Sequence, residues 1–361
     1  MDKPLMDKVL NLRSRLHGLA ELSGEETRTK ECLMAFLREN TSLRLEDRGK
    51  WFCAFHEEPY AKETIAFRGD MDAIPFNGGA AHLCGHDGHC AVLAGLGLML
   101  ENKKLGRNIV LVFQHAEEIG AGGRECSEGL EKYPVDRIYA FHNIPGWEEG
   151  AVLLRRDTFA CASLGMTLTL TGAPSHAAYP ENGRNPGFAA SRLINDLPVL
   201  ANRKNFKGMT MATLVGAKIG TKAFGSSAGT AEIWLTLRAW YDNDLKNLIT
   251  AIEAYAKKEG ESDGLSIAFS YWDSFPSTLN DNETVRNVEK ICNCIGLKCI
   301  DVPEPFRWSE DFGYYGARAK AVMVGVGAGE NWPQLHTSTY AFNDKILSAG
   351  LTLFYALAQM G

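Results

Sequence analysis

The sequence has no long hydrophobic segment and no excess of basic residues, and both absences exclude classes of protein. Its longest apolar stretch, Ile346–Met360, is shorter than the roughly 20 residues that cross a bilayer, so we expect a C-terminal core helix instead. Lys and Arg number 38 against 44 Asp and Glu, with no dense basic run. The charge pattern of a nucleic-acid binder is therefore missing, which favours a small-molecule substrate. The segment Met1–Lys8 lacks the features of a secretion signal, and we expect a cytoplasmic protein that does not act at a membrane.

The sequence also lacks the cysteine pattern of a disulfide scaffold. Nine cysteines is an odd number in a chain of 361 residues, and free thiols or metal ligands are more typical of such a chain than paired bridges. Cys292, Cys294 and Cys299 lie close together, but no histidine or fourth cysteine stands near them. We expect these three to be buried thiols.

Short apolar runs that alternate with helical patterns predict an α/β fold, and the length predicts two domains. The expected strands are 64–68, 108–114, 137–141 and 321–326, with a helix over 90–100. The middle of the chain differs: strand patterns at 166–171 and 231–238 alternate with helical patterns at 188–200 and 243–258. We expect residues 162–275 to form an inserted α+β domain that interrupts a catalytic domain made of residues 1–161 and 276–361.

The segment Ser23–Glu26 has the pattern of a capping box, with Ser23 at the N-cap and Glu26 at the third helical position. Apolar residues at helical spacing follow it. The pattern therefore predicts that Ser23 and Glu26 close the start of a helix.

The densest group of potential metal ligands is His82–His89, which holds three of the nine histidines. Cys84 and His86 stand two apart, and Gly85 between them frees the backbone so that both side chains can converge on one cation. The pattern favours a metal site over a surface loop, although by itself it does not choose between zinc and another metal.

Further ligand-type residues follow predicted strands, where the carboxyl edge of an α/β sheet collects functional side chains. Glu117 and Glu118 are adjacent and should point in opposite directions, so that one can bind a metal while the other faces water. Asp70 and Asp72 are expected to orient metal-bound histidines. His142 and His336 follow two further predicted strands. Gly327, in the predicted glycine-rich loop 325–329, offers backbone that a substrate could approach closely. The residues thus collected at predicted strand ends are Asp70, Asp72, Glu117, Glu118, His142, Gly327 and His336.

Taken together, these motifs resemble the metal-dependent amidohydrolases and carboxypeptidases that include aminoacylases, hippurate hydrolases and indole-acetyl-amino-acid hydrolases. The similarity runs almost from end to end. It is carried by the segments Arg15–His17, Glu21–Thr27, Gly69–Pro75, Cys84–His89, Phe113–Glu118, His142–Pro145, Ser175–Pro180, Glu310–Phe312, Leu335–His336 and Phe342–Asp344.

The resemblance implies a fold, a cofactor and residue roles. The fold would be a mixed-sheet, zinc-exopeptidase-like catalytic domain with an inserted ferredoxin-like lid, and the lid often forms a homodimer. The cofactor would be two divalent ions, zinc or manganese. Glu117 would be the general base, and the lid residue His176 would stabilise the developing oxyanion. The implied metal ligands are Cys84, His86, Glu118, His142 and His336.

The predicted lid holds a candidate substrate contact, and the chain departs from the family pattern at several positions. Arg238, at the end of a predicted strand, could clamp the α-carboxylate of a substrate because its fork matches a carboxylate. The family usually has Asn-Val-Ile-Pro before that strand, whereas this chain has Gly225–Ala228. His115 stands where the family often has Pro, and Asn185 where it often has Asp. The metal ligands are thus retained while the lid's substrate contacts are altered.

Three functions remain open from the sequence. The first is a dinuclear hydrolase of N-acyl amino acids or similar small conjugates, which uses metal-activated water and a glutamate base. The second is a dipeptidase or aminopeptidase, which would need an acidic group to hold a free α-amine. The third is a catalytically silent relative that binds metal or amino-acid conjugates. The complete ligand set favours an active enzyme.

Overall fold

The computed structural model describes residues 3–361 and divides the chain into two compact units. The first unit runs to Phe159 and also contains Thr278–Pro305 and Glu310–Gly361. The second unit is Ala160–Ser277 with Phe306–Ser309. The predicted insertion, 162–275, lies within the second unit.

Two sets of elements form the described chain. The strands, numbered in chain order, are β1 (Arg44–Asp47), β2 (Phe52–His56), β3 (Thr64–Asp70), β4 (Ile74–Phe76), β5 (Gly79–Ala81), β6 (Asn108–Gln114), β7 (Arg137–Pro145), β8 (Val152–Leu154), β9 (Asp157–Ala160), β10 (Ala162–Thr171), β11 (Thr210–Ile219), β12 (Thr230–Ala239), β13 (Ser266–Phe275), β14 (Thr278–Asn280), β15 (Cys299–Asp301) and β16 (Lys320–Gly329). The α-helices are α1 (Lys3–His17), α2 (Thr27–Asn40), α3 (His86–Leu100), α4 (Gly122–Gly129), α5 (Gly187–Leu200), α6 (Asp242–Ser262), α7 (Asn282–Ile295) and α8 (Leu347–Met360).

The first unit is built on a mixed eight-stranded sheet in the order β1-β2-β6-β3-β7-β16-β8-β15. Its centre is parallel, because β3 pairs in parallel with both β6 and β7, and β7 pairs in parallel with β16. The central strands are almost continuously apolar, as expected for strands covered on both faces. Their carboxyl ends therefore meet at one edge, where Asp70 pairs with Gln114 and His142 pairs with Gly325.

Helix α3 is the centre of the helical layer and is buried along nearly its whole length. It packs against α1, α2 and α8. A helix that is apolar all round is stable only when other elements surround it. The predicted C-terminal core helix is confirmed, since α8 contributes Leu351, Leu353 and Phe354 to this core.

The second unit is a four-stranded antiparallel sheet in the order β11-β12-β10-β13, with helices α5 and α6 packed on it. Its chain order is strand, helix, two strands, helix, strand, which is the ferredoxin-like arrangement. The alternation of β10 and β12 places residues such as Leu168 and Ile233 in a separate apolar core. The unit has two more strands than the sequence pattern predicted. Both are edge strands, β11 and β13, and few of their side chains are buried, so their patterns carry little apolar alternation.

Three other sequence predictions are wrong in detail. The capping box does not form: α2 begins at Thr27, and Ser23 and Glu26 bond to other parts of the fold instead. The glycine-rich segment 325–329 is the end of strand β16 rather than a loop. Of the three clustered cysteines only Cys292 is buried, since Cys299 is partly exposed and Cys294 is exposed.

Across residues 3–361, no helix combines the length and the apolar character that a membrane crossing requires.

Candidate metal centre

The candidate site lies in the first unit, at the edge where the parallel strands end. Strand β3 ends at Asp70, β6 ends at Gln114 and β7 carries His142 near its end. The loops that follow these strands supply further donors, because parallel strands direct their carboxyl ends to one side of a sheet. Of the residues predicted at strand ends, the six with side chains come together here: Asp70, Asp72, Glu117, Glu118, His142 and His336.

Gly85 allows Cys84 and His86 to face the same point. It has φ +99°, a left-handed conformation that glycine adopts without strain, and it sits directly before α3. A Cβ atom at this position would lie 2.5 Å from Asn143 Oδ1 and 2.6 Å from the Tyr340 hydroxyl. The turn therefore requires glycine, as the sequence predicts, and the close packing against Asn143 and Tyr340 adds a second requirement.

Among the described residues, five groups of donor atoms are close enough to hold a metal ion, and two of them share Cys84. One group is Cys84, His86 and His142, and the other is Cys84, Glu118 and His336, each with its ligand atoms within 4.8 Å of one another. Cys84 Sγ and His142 Nε2 are 3.5 Å apart. Tetrahedral zinc with its usual bond lengths would hold sulfur and nitrogen ligands about 3.5 Å apart. The five ligands implied by the resemblance are thus gathered in one place.

Two buried atoms of this cluster lack hydrogen-bond partners among the described residues. His86 Nε2 and Glu118 Oε1 have none, and they lie 3.7 Å apart. Buried polar atoms are costly to leave unpaired, and a cation in each of the two groups that share Cys84 would satisfy both atoms. A mixed set of thiolate, imidazole and carboxylate donors suits zinc or a similar transition metal better than calcium or magnesium. The residues therefore fit two divalent cations.

A strained turn separates the roles of the two adjacent glutamates. Ala116 has φ +50°, an uncommon conformation for a residue with a side chain, and it immediately precedes Glu117 and Glu118. Glu118 Oε1 lies 3.5 Å from His336 Nε2, whereas Glu117 Oε2 lies 3.8 Å from His86 Nε2. Glu118 Oε1 is also 3.7 Å from His86 Nε2, so both carboxylates face this atom and only Glu118 also lies near His336.

The protonation of this cluster depends on its burial. Burial raises the pKa of the Glu117 carboxyl well above its usual value, and the nearby Glu310 and Glu118 carboxylates add to this effect. Burial also raises the pKa of the Cys84 thiol and holds the pKa of His142 well below its usual value. A neutral His142 is in the form that binds metals, and a divalent cation would favour the ionised forms of Glu117 and Cys84.

Asp72 and Asp70 differ in what they hold. Asp72 receives His86 Nδ1 through its Oδ1, at 3.2 Å, and through its backbone oxygen, at 3.0 Å, which leaves His86 Nε2 for a cation. Asp70 bonds instead to His89 Nδ1 at 2.6 Å. His89 Nε2 lies 2.6 Å from Asn143 Oδ1, so both His89 nitrogens are engaged. His89 thus links Asp70 to Asn143 through its two ring nitrogens.

A buried charge network that was not among the sequence predictions lies beside Glu117. Arg68 is almost fully buried and donates to Gln114, Asp70, Glu310 and Asp311. A buried arginine is stable only when its charge is matched by nearby carboxylates. Charged residues at 68 and 70, two apart at the end of an otherwise apolar strand, were the signal for this network.

His176 and Arg238 lie in the second unit. His176 Nδ1 accepts a hydrogen bond from the Ala178 N–H at 3.1 Å. Arg238 Nη1 donates to Arg307 O at 3.0 Å and to Ser309 Oγ at 2.8 Å, both within the same unit. In the segment that replaces the family's Asn-Val-Ile-Pro, Ser226 pairs with His176 in an antiparallel bridge.

The expectation for Gly327 is wrong. A Cβ atom there would lie 2.0 Å from Glu148 O, so the chain's own backbone makes the close approach. The Gly327 N–H and carbonyl are also bonded, to Ala151 and Gly150. Glycine is therefore required at this position for packing inside the first unit.

Comparisons with known proteins give one consistent result. Residues 66–360 match the model of the peptidase family M20/M25/M40. A hippurate hydrolase from Campylobacter jejuni is 27% identical, with 96% of this chain and 94% of the relative aligned. An uncharacterized hydrolase from Staphylococcus haemolyticus is 27% identical over 95% of both chains. Among solved structures, a dinuclear metal-binding peptidase of the M20 family from Bacillus subtilis superimposes with a TM-score of 0.86 at 22% identity, covering 99% of this chain and 98% of that one.

Proposed function

We propose that this chain cleaves the amide bond of N-acyl amino acids or related small conjugates. The chain belongs to the peptidase family M20/M25/M40 and is therefore a metal-dependent amidohydrolase. The observation that carries this proposal is the gathering of Cys84, His86, Glu118, His142 and His336 in two donor groups that share Cys84, with the Glu117 carboxylate beside them. The substrate class is supported by the hippurate hydrolase relative, since hippurate is an N-acyl amino acid.

The reaction requires an activated water and a proton carrier. Bound divalent cations would polarise the amide carbonyl and lower the pKa of a water molecule. Glu117 would accept a proton from this water and deliver it to the leaving amine nitrogen. Its Oε2 faces the donor cluster, and its Oε1 lies 3.4 Å from the Asp311 N–H. One Glu117 oxygen is thus held by the Asp311 N–H while the other faces His86.

His176 is proposed as the donor that stabilises the developing oxyanion. Because its Nδ1 accepts the Ala178 N–H, the neutral ring carries its proton on Nε2. An exposed Nε2–H on a lid loop can donate to an oxyanion without a change of tautomer. Replacing His176 with Gln should lower kcat while leaving metal binding unchanged.

Arg238 is proposed, in second place, as the clamp for the substrate carboxylate. Its Nη1 is already engaged by Arg307 and Ser309, so the clamp would use the remaining guanidinium N–H groups. The test compares KM for acyl-amino acids with KM for their amides in the Arg238→Ala variant. An unchanged preference for the acids would remove Arg238 from this role.

We also propose a homodimer through the second unit, in a cytoplasmic protein. Strand β11 is at an edge of its sheet and exposes Leu214, Val215 and Ile219. An unpaired apolar edge favours pairing with a second copy. Light scattering should give twice the monomer mass, and a monomeric mass would contradict the proposal.

The deciding experiment is hydrolysis of a pool of N-acyl amino acids and unblocked dipeptides, with Mn²⁺ or Zn²⁺ supplied. Glu117→Gln is the control: it should retain metal and lose turnover by a factor on the order of 100 or more. Turnover of the blocked substrates, absent in the control, is the expected result. Cleavage of free dipeptides alone would favour a dipeptidase, and metal binding without any cleavage would favour a silent relative.

A further inference from the structure

Glu26 occupies an unusual position for a residue just before a helix. Only 3% of it is exposed, and the expected helix cap is not made. Its Oε1 instead accepts the Gly24 N–H at 2.8 Å and the Ala116 N–H at 2.7 Å, although Ala116 is 90 residues away. Burying a carboxylate is costly unless it is hydrogen-bonded, and here the two N–H groups offset part of that cost. A glutamate on the surface could not hold the Ala116 N–H in this way.

Ala116 is the strained residue that precedes Glu117 and Glu118. Its carbonyl accepts the N–H groups of Ala121 and Gly122, each at 3.1 Å, while its N–H is held by Glu26. Strained backbone persists only when the surroundings fix it from several sides. The backbone of Ala116 is therefore fixed on both sides. Glu26 accepts its N–H, and the N–H groups of Ala121 and Gly122, at the start of α4, bond to its carbonyl.

A second carboxylate holds the same turn two residues later. Asp72 Oδ2 accepts the Glu118 N–H at 2.9 Å and the Ser23 hydroxyl at 2.6 Å. Ser23 and Glu26 belong to one short segment, which Glu21 fixes in place by accepting the Thr29 N–H at 2.8 Å. The segment Glu21–Glu26 is therefore tied to the turn at both Ala116 and Glu118.

From this geometry we propose that Glu26 is a positioning residue for the reaction. By holding the Ala116 N–H it keeps the turn in the conformation that sends Glu118 to the cations and Glu117 to the reacting water. Glu26 itself bonds to the Gly24 and Ala116 N–H groups and not to the side chain of Glu117 or Glu118. The inference rests on the proposed function only for the role of Glu117, since the effect on Glu118 is on metal binding alone.

The hydrogen-bonding reach of Glu26, rather than its charge, is what this role needs. Burial and the nearby Asp72 raise the pKa of Glu26 to about 7, so the carboxyl is partly neutral at physiological pH. Gln has the same length and a carbonyl oxygen that can accept both N–H groups. Asp keeps the charge but is one methylene shorter, and its oxygen would not reach the Ala116 N–H.

The test compares Glu26→Gln, Glu26→Asp and Glu26→Ala with wild type and with the control Glu25→Ala, which alters the exposed neighbour. Zn²⁺ and Mn²⁺ affinities are measured by competition with a chelating dye. The values of kcat and KM are measured on whichever substrate the wild type cleaves. Groups that orient metal ligands typically change affinity or activity by about 10- to 100-fold when they are lost.

We expect Glu26→Ala and Glu26→Asp to weaken metal binding and lower kcat within that range, with KM changed less than about threefold. Glu26→Gln and Glu25→Ala should stay close to wild type. If Asp behaves as wild type and Gln does not, the charge matters and the proposal is overturned. It is also overturned if all three variants bind metal normally. Should Glu26→Ala not fold, the comparison of Gln with Asp still decides. A wild type that cleaves no N-acyl substrate would refute the proposed function but leave the metal-binding test intact.

Discussion

The raised pKa of Glu26 has a consequence for stability that can be calculated. The ordinary pKa of a glutamate is near 4.5, and in the fold it is about 7. Between these two pH values the folded chain holds a proton that the unfolded chain has released. Folding is therefore favoured at low pH, and this contribution is lost as the pH rises through 7. At 1.36 kcal/mol for each pKa unit, the loss between pH 4 and pH 8 is about 3 kcal/mol.

The amide that the Glu26→Gln variant carries does not titrate in this range. The unfolding free energy of the variant should therefore not show the fall of about 3 kcal/mol that Glu26 causes between pH 4 and pH 8. Any fixed cost of burying the amide is the same at every pH and cancels when two pH values are compared. The other titrating groups are shared by both proteins and cancel as well. The difference in unfolding free energy between variant and wild type should therefore shift by about 3 kcal/mol in favour of the variant from pH 4 to pH 8.

Urea unfolding in the presence of a chelator and a reductant measures this difference, because the chelator removes any cation charge from the site. With a denaturant slope of about 3 kcal/mol/M, the shift corresponds to a change of about 1 M in the relative midpoints. Glu25→Gln, at the exposed neighbouring position, should show no shift. Parallel pH curves for wild type and Glu26→Gln would refute the raised pKa and the burial argument behind it.

Three further predictions follow from the packing and charge of the first unit. Arg68→Met should lower the free energy of unfolding by about 3 to 5 kcal/mol, because it leaves the buried carboxylates of Asp70, Glu310 and Asp311 without their partner. A loss of less than about 1 kcal/mol in urea unfolding would contradict this. Gly88→Ala should lower the melting temperature by several degrees, since the added Cβ would lie 2.2 Å from the Phe342 ring and overpacking costs about 1–3 kcal/mol. An unchanged melting temperature in calorimetry would show that the ring moves aside freely. Chelation should abolish activity and lower the melting temperature, and added Zn²⁺ or Mn²⁺ should restore both; activity that survives dialysis against a chelator would argue against a metal requirement.

Several features of the first unit could be read directly from the sequence. Strand β6, at Asn108–Gln114, has the bounds that its apolar run predicts, and β3 and β7 begin where expected. These predictions succeed because a buried parallel strand needs a continuous apolar run, which is a local property of the chain. The expected ligands also lie close together, because ligand-type residues after such strands are brought to a single sheet edge.

Other features depend on contacts that no local pattern contains. Ser23 and Glu26 match a capping box, yet their side chains bond to Asp72 and Ala116. Gly327 looked accessible to substrate, but the main chain of Glu148 occupies the space beside it. In each case a distant segment competes with the local partner and provides the better buried hydrogen bond or packing.

The sequence by itself determined the α/β class, and it indicated an inserted segment and the residue types at the candidate metal centre. These follow from periodicity, chain order and ligand chemistry, which are all written along the chain. Only the tertiary structure decided that Cys84 belongs to two donor groups, that Arg68 balances the buried carboxylates, and that Glu26 holds the turn before Glu117. These facts depend on distances between residues far apart in the chain, and such distances are set when the elements pack and exclude water.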